Sequence, residues 1–196
     1  MMKRFLAIIV LGIALLATGA AGASTLSLDP VLSETVVGGP VDFSVHIAGL
    51  GTGLPPSLGA FSFRLVYDPA LLAFDSVVFG SALGDPGLGE SLQLVDASLP
   101  GSVLAESLSL LSPAELDLGQ PGAFTLASLR FLGLTPGFGE VHLAGLLLSD
   151  GWGCTLQPTV HGISFVAVDP VPVPATVWLL GAVLPGLACL RRRAAA

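Results

Sequence analysis

Positive charge is scarce in this sequence. Between Phe5 and Leu190 the only basic residues are Arg64 and Arg130, whereas all fourteen acidic residues lie there, which gives this stretch a formal charge of −12. A surface this acidic repels phosphate backbones, so nucleic acid is excluded as a partner. Charged residues of either sign make up only 11% of the chain. This balance fits a protein that stays soluble outside the cell with few charges.

Cysteine is almost absent, with Cys154 and Cys189 the only two. Because Cys189 lies inside an apolar run near the C-terminus, we do not expect the two to pair. Cys154 is then left as an odd cysteine. Two interpretations stay open for it, a small buried side chain or a thiol that pairs with a second chain.

Catalytic motifs are also missing. No serine has the G-x-S-x-G pattern of a nucleophile elbow, and Gly162-Ile163-Ser164 continues with Phe165 and Val166 instead. No ligand-spaced Cys or Glu accompanies any histidine, so zinc is not expected. Solvent-facing positions on separate strands are predicted for three histidines, His46, His142 and His161. The sequence therefore predicts a protein that is not an enzyme, with a hydrolase built on paired carboxylates as the lesser alternative.

Two weaker signals concern ligands. Asp85, Glu90 and Asp96 lie in or near a glycine-rich loop, and carboxylates with backbone carbonyls are typical calcium ligands. No cofactor is predicted, and calcium at these residues is the alternative. Trp152 is a candidate for stacking on a sugar ring, although aromatic residues are few, at 7%, and packing within a loop is the more ordinary role.

The N-terminus has the three parts of a secretory signal peptide. Lys3 and Arg4 form the positive region, residues 5–16 form the apolar region, and Ala21-Gly22-Ala23 is a small-x-small cleavage site. We expect cleavage after Ala23. The apolar region is too short for a membrane span, which needs about 20 residues.

The C-terminus has the pattern of a single membrane span. Residues 175–190 are uncharged, and as a helix they are roughly 24 Å long. Trp178 lies near one end, and Arg191, Arg192 and Arg193 follow the other end. Interfacial tryptophan and cytoplasmic arginines are typical of such spans. We expect a transmembrane helix with its C-terminus in the cytoplasm and the preceding domain outside.

The motif before this span makes the prediction more specific. Val171, Pro172, Val173, Pro174 and Ala175 precede the apolar run, and the arginine cluster follows it. This order resembles the PEP-CTERM sorting signals, and the five residues resemble their VPLPA variant, with Val173 in place of leucine. The resemblance implies an exosortase-type sorting enzyme as a partner in a Gram-negative bacterium. It also implies a transient inner-membrane anchor, followed by transfer to the cell surface or extracellular matrix.

The region between the two signals has the pattern of an all-β domain. Residues 41–47 and 61–67 alternate apolar and polar side chains, which is typical of half-buried antiparallel strands. Glycine and proline clusters separate the candidate strands. Nine strands are predicted, over residues 26–28, 41–47, 61–67, 72–79, 92–96, 103–110, 124–131, 140–147 and 163–168. The domains are therefore 1–23, 24–169 and 170–196.

One stretch of this domain resembles the cohesin-like module. Its most specific part is Tyr67-Asp68-Pro69, with Leu71 and Leu72 behind it. The resemblance implies a nine-stranded antiparallel jelly-roll sandwich, and dockerin binding on one sheet face that the sequence does not assign to residues. We expect an exported, surface-sorted, non-enzymatic binding module for a protein, such as a dockerin-like protein, or for an exopolysaccharide of the matrix. The alternative is a structural matrix component without a specific ligand.

Overall fold

The computed structural model describes residues 24–171, which form two β-sheets packed face to face. The five-stranded sheet contains β1 (Thr25–Asp29), β3 (Pro40–Ala48), β5 (Leu72–Phe79), β8 (Ala123–Gly133) and β10 (Thr159–His161). The six-stranded sheet contains β2 (Leu32–Val36), β4 (Leu58–Val66), β6 (Ser91–Asp96), β7 (Ser102–Ser109), β9 (Gly137–Asp150) and β11 (Ile163–Asp169). The strand orders are β10-β1-β3-β8-β5 and β2-β11-β9-β4-β7-β6.

The core lies between the sheets and is built from alternate residues of the strands. In β3 and β4 every second residue is buried, as the period-two pattern predicted. Phe131 of β8 lies at the centre and makes edge-to-face contacts with Phe43 and with Tyr67, at ring-centroid distances of 5.9 and 4.9 Å. The prediction of an all-β sandwich is confirmed, and each of the nine predicted strands is present.

The prediction of nine strands, all antiparallel, is wrong at the sandwich edges. The structure adds β2 and β10, neither of which contains a buried residue, so neither has the apolar face that the prediction required. Two pairs are parallel, β1 with β10 and β2 with β11. The reason is that β1–β2 and β10–β11 are two extended segments, each of which crosses from one sheet to the other. Because they run side by side in the same direction, they pair in both sheets.

A single α-helix of seven residues, α1 (Pro113–Gly119), connects β7 to β8 among the described residues. Ser112 and Glu115 form a capping box at its start, and Pro113 occupies the first turn. Its Leu116 is buried. Gln120 caps the C-terminal end of the helix, and its buried side chain points into the domain beside Leu58. Two short 3-10 helices, Ser81–Leu83 and Pro86–Leu88, lie between β5 and β6.

Candidate functional site

The outer face of the six-stranded sheet carries exposed leucines where β6, β7, β4 and β9 adjoin. Phe61 of β4 points into the core, so its neighbours Ala60 and Ser62 point outward. Opposite residues of antiparallel strands share a face of the sheet. The register therefore places Leu92, Leu108, Ala60 and Ser149 in one outward row and Leu94, Glu106, Ser62 and Leu147 in the next. We call these two rows the leucine face.

The four leucines of this face are largely open to solvent. Their exposed fractions are 58% for Leu92, 54% for Leu94, 46% for Leu108 and 63% for Leu147. Together with their neighbours they line an open depression of about 340 Å³. Because fully burying a leucine is worth about 1.5–3 kcal/mol, a partner that covered all four would recover several kilocalories per mole. A contiguous apolar patch on a sheet is typical of an interaction site.

The outer face of the five-stranded sheet is polar by contrast. There Arg130 makes a two-point ion pair with Asp42, at 2.8 and 3.1 Å. The hydroxyls of Ser44 and Ser128 lie 2.8 Å apart, and Thr125 hydrogen-bonds His46. These side chains pair with one another across β3 and β8. Only one of the two outer faces is therefore apolar, which indicates that the leucine face is not a general property of this sandwich.

Polar groups border the leucine face and fix its charge. Ser62 donates a hydrogen bond of 2.7 Å to Glu106, which holds that carboxylate between the leucines. Hydrogen bonds from the side chain and then the backbone of Ser98 hold the pKa of Asp96 below its usual value, with a smaller contribution from the charge of Arg64. Arg64 lies near Ser102, at 3.4 Å. The rim is therefore mainly acidic, with one arginine at its end.

The predicted targeting residues lie almost entirely outside the described residues. This applies to the cleavage site at Ala21 and Ala23, to Pro172, Val173, Pro174 and Ala175, and to Arg191, Arg192 and Arg193. Val171 is the last described residue and is exposed. Within residues 24–171 no helix has the length and apolar character needed to cross a bilayer, and the predicted span at 175–190 lies beyond them.

The three residues proposed as calcium ligands do not come together. Asp85 accepts a hydrogen bond from the backbone of Gly87, and Glu90 accepts one from the backbone of Asp85. Asp96 lies at the far end of β6, about 16 Å further along the strand, and accepts from Ser98 instead. Within residues 24–171 no three His, Cys, Asp or Glu side chains form a metal-binding group. The two loop carboxylates stabilise the turn before β6.

Trp152 and Cys154 lie in one tight turn after β9. Asp150 accepts hydrogen bonds from the backbone N–H groups of both residues, and Gly153 between them has a φ of +82°. Trp152 is 70% exposed, so the packing role within a loop is not what the structure shows. Cys154 is exposed as well, which overturns its interpretation as a buried side chain. The turn lies beside the start of α1, where Gly151 faces Pro113.

The three histidines lie on separate strands, as predicted. His46 is on β3, His142 on β9 and His161 on β10. His161 is exposed, and the Nδ1 atom of His142 lies 3.4 Å from the carboxylate of Glu140. None of them contributes to the leucine face.

This sandwich is a cohesin-like fold. The sixth cohesin of scaffoldin B from Acetivibrio cellulolyticus, solved with a Cel5 dockerin variant, has a TM-score of 0.58 and 19% identity over 76% of this chain and 99% of its own. A cohesin of OlpC from Clostridium thermocellum, solved with a dockerin, gives 0.60 and 12% over 79% and 99%. A non-cellulosomal cohesin from the archaeon Archaeoglobus fulgidus gives 0.54 and 16% over 76% and 92%.

At sequence identities this low, the structural similarity establishes the shared fold alone. No protein-family model matches the sequence, and neither does any curated protein sequence.

Sequence reasoning did not find the leucine face. The pattern of β6 was misleading, because Leu92 and Leu94 alternate with Gln93 and therefore predict a buried apolar face. The structure exposes both leucines instead.

Proposed function

We propose that the chain is an exported, surface-sorted, non-enzymatic module that binds a protein partner through its leucine face. The observation that carries this proposal is the contrast between the two outer faces. The outer face of the five-stranded sheet is polar, and its serines and its arginine–aspartate pair bond to one another. The leucine face exposes four leucines around an open depression. An exposed aliphatic patch that is confined to one side of a domain is typical of a surface that a partner covers.

A protein fits this face better than a polysaccharide. The leucine face consists of aliphatic side chains, serines and one glutamate, whereas sugar rings are held by aromatic platforms. Trp152 is exposed but lies at a turn beyond the two rows. Cohesins of the same fold were solved in complex with dockerins, which supports a dockerin-like partner. Because the domain has fourteen acidic residues and two basic ones, electrostatic attraction favours a partner with a basic rim.

The route to the partner is proposed from the two ends of the sequence. A signal peptide ending at Ala23 would export the chain, and the motif at Val171–Ala175 with Arg191–Arg193 would present it to an exosortase-type enzyme. The module would then reach the cell surface or the extracellular matrix of a Gram-negative bacterium. A binding module delivered there attaches its partner to the same place.

The test compares matched charge substitutions on the two outer faces. Leu147→Asp introduces a charge on the leucine face, and Val78→Asp introduces the same charge on the outside of β5, where Val78 is 69% exposed. The wild-type chain and both variants are immobilised and exposed to the extracellular protein fraction of the producing bacterium. We expect the wild type and Val78→Asp to retain the same protein, and Leu147→Asp to retain at least tenfold less, because a charge buried within an apolar contact is costly.

A glycan array with the same three proteins completes the test. Equal retention of a protein by all three proteins would show that the leucine face is not the site. Specific glycan binding that Leu147→Asp removes would replace the protein partner with a polysaccharide. Failure of the wild type to retain either class would support the structural matrix component instead.

A further inference from the structure

Strand β6 has an open edge. Among residues 24–171 it is the last strand of the six-stranded sheet and pairs with β7 alone. The carbonyl of Glu90 accepts a hydrogen bond from the N–H of Leu110, so the hydrogen-bonded pairs between β6 and β7 begin at this pair. In an antiparallel ladder the backbone groups alternate between the two sides of the strand. Leu92, Leu94 and Asp96 therefore bond to β7, whereas Gln93 and Val95 direct N–H and C=O groups toward the open edge.

The three other sheet edges are protected. Natural sheets prevent unwanted strand pairing with charged residues, bulges or very short edge strands. Edge strand β2 carries exposed Glu34, and β10 is three residues long. In β5 the register shifts between Phe74 and Ser76, at the charged residue Asp75. In β6 the register is continuous from Ser91 to Asp96, and no proline or bulge interrupts it.

A further feature distinguishes β6 from an ordinary edge strand, since side chains on both of its faces are exposed. Residues 92–96 are all exposed, including Gln93 and Val95 on the side that would face the other sheet. The first residue, Ser91, is buried beside the loop that contains the second 3-10 helix. Residues 92–96 extend past the five-stranded sheet and leave both faces of the strand exposed. An incoming strand would meet free backbone groups together with the exposed side chains of Leu92, Leu94 and Val95.

We propose that β6 accepts an extended segment of a partner protein as a seventh, antiparallel strand of this sheet. The partner segment has apolar residues opposite Leu92 and Leu94 and a lysine or arginine at each end. Charge complementarity specifies those ends, because Glu90 precedes β6, Asp96 ends it, and the domain has a formal charge of −12. Main-chain hydrogen bonds supply the affinity of such an added strand, and its side chains supply the specificity.

A second copy of this chain is a poorer occupant. Two β6 strands that meet antiparallel with their faces matched, and that pair over the whole strand, centre on Gln93. That register places Glu90 of each copy directly opposite Asp96 of the other. Like charges in directly opposite positions destabilise a strand pair, so a basic segment fits this edge better than a second acidic one.

This inference goes beyond the proposed function, because it requires the backbone edge of β6, which a partner that covers only the side chains of the leucine face does not use. The two are tested by different changes. Leu147→Asp alters the face and leaves the β6 edge untouched, since Leu147 lies on β9. The affinity of a partner that binds only the leucine face does not depend on backbone hydrogen bonds at the edge of β6.

The probe is the acetylated and amidated peptide Lys-Thr-Val-Thr-Val-Thr-Lys, titrated into the isotope-labelled full-length chain in a mild detergent. Its lysines lie opposite Glu90 and Asp96 and its valines opposite Leu92 and Leu94. We expect saturable shifts of the Gln93 and Val95 amide signals and at least tenfold slower hydrogen exchange there. With glutamate in place of both lysines, the affinity should fall at least fivefold at low salt.

Two N-methylated peptides supply the decisive control without altering the protein. Methylating the central threonine, which lies opposite Gln93, removes a donor that faces β6 and should abolish binding. Methylating a neighbouring valine removes a donor that faces away and should leave the affinity within twofold. Equal affinities of both methylated peptides, or no shift at Gln93 and Val95 with millimolar unmodified peptide, would overturn the proposal. Self-association of the chain that protects these two amides without peptide would assign the edge to a second copy.

Discussion

The side-chain amide of Gln120 forms two hydrogen bonds with the backbone of Leu58. Its Nε2 donates to the Leu58 carbonyl at 2.9 Å, and its Oε1 accepts from the Leu58 N–H. Nε2 also donates to the carbonyl of Ala82 at 3.1 Å. Gln120 caps the C-terminal end of α1, and Leu58 begins β4 with its side chain fully buried. One buried glutamine therefore joins the helix, the first residue of β4 and the connection that follows β5.

Replacing this glutamine should be among the most damaging single changes in the domain. Gln120→Leu leaves the buried N–H and C=O of Leu58 without partners, and each such group costs about 1–3 kcal/mol. We expect the free energy of unfolding to fall by about 2–4 kcal/mol in urea denaturation. Gln157→Leu is the matched control, because Gln157 is exposed, and it should change stability by less than about 0.5 kcal/mol. Similar losses in the two variants would show that the amide contacts contribute nothing specific.

The Asp68-Pro69 turn should contribute less. Asp68 accepts a hydrogen bond of 2.8 Å from the N–H of Ala70 through its side chain, and its carbonyl accepts from Leu71 and Leu72. Asp68→Ala removes the side-chain bond only, so we expect a loss of about 1 kcal/mol. Asp68→Asn retains the acceptor oxygen and should restore most of the loss. The measurement is the thermal unfolding midpoint of the wild type, Asp68→Ala and Asp68→Asn. An unchanged midpoint for Asp68→Ala would show that the Asp68 side chain does not stabilise the turn.

The sandwich was predictable because alternation identifies a one-sided strand. Phe43 and Phe63 are buried where the period-two pattern placed them, and proline and glycine clusters separated the strands. The edge strands β2 and β10 were not predictable, because they have no buried side chains. Their pairing depends on two segments that are distant in the chain and lie side by side only after folding.

The leucine face needed the structure for a related reason. Leu94 and Leu147 lie about fifty residues apart and on opposite sides of β7 and β4. Each is an unremarkable exposed leucine by itself, and only the strand register brings the two into one row. The proposed calcium site failed in the same way, since closeness in sequence did not bring Asp96 to Asp85 along an extended strand.

Acidification should weaken the capping box of α1. Hydrogen bonds from Ser112, from its side chain and then its backbone, hold the pKa of Glu115 below its usual value. A carboxyl whose pKa is lower in the folded state contributes stability above its unfolded pKa and loses it as the pH falls through the folded pKa. The stability difference between wild type and Glu115→Gln should therefore shrink from roughly pH 5 towards pH 3. Unfolding midpoints measured across that range test this, and a constant difference would contradict it.

Residues 24–169 should fold without the rest of the chain. The first strand begins at Thr25, the last ends at Asp169, and no buried polar side-chain atom in the described residues lacks a hydrogen-bond partner. We expect a soluble fragment whose far-ultraviolet circular dichroism is that of β-structure and whose unfolding is cooperative. A spectrum dominated by helix, or a fragment that aggregates under conditions in which the full-length chain is stable, would contradict this.

Pro172 and Pro174 should be required for removal of the C-terminal tail after export. A permanent membrane anchor needs an apolar span and flanking arginines, but it has no need of prolines in front of the span. A sorting enzyme that cleaves at the outer surface needs an extended segment there, and proline prevents regular helix and favours extended backbone at the residue before it. The sequence therefore favours a tail that is removed after export.

The measurement is the mass of the mature protein in the native host. If the tail is a sorting signal, the wild type should lose Arg191, Arg192 and Arg193 and leave the inner membrane, whereas the variant with Pro172→Ala and Pro174→Ala should keep them and accumulate there. Pro158→Ala is the matched control, because Pro158 lies before β10 and outside the motif, and it should be processed like the wild type. Retention of all three arginines by the wild type and the double variant alike would show that the tail is only an anchor.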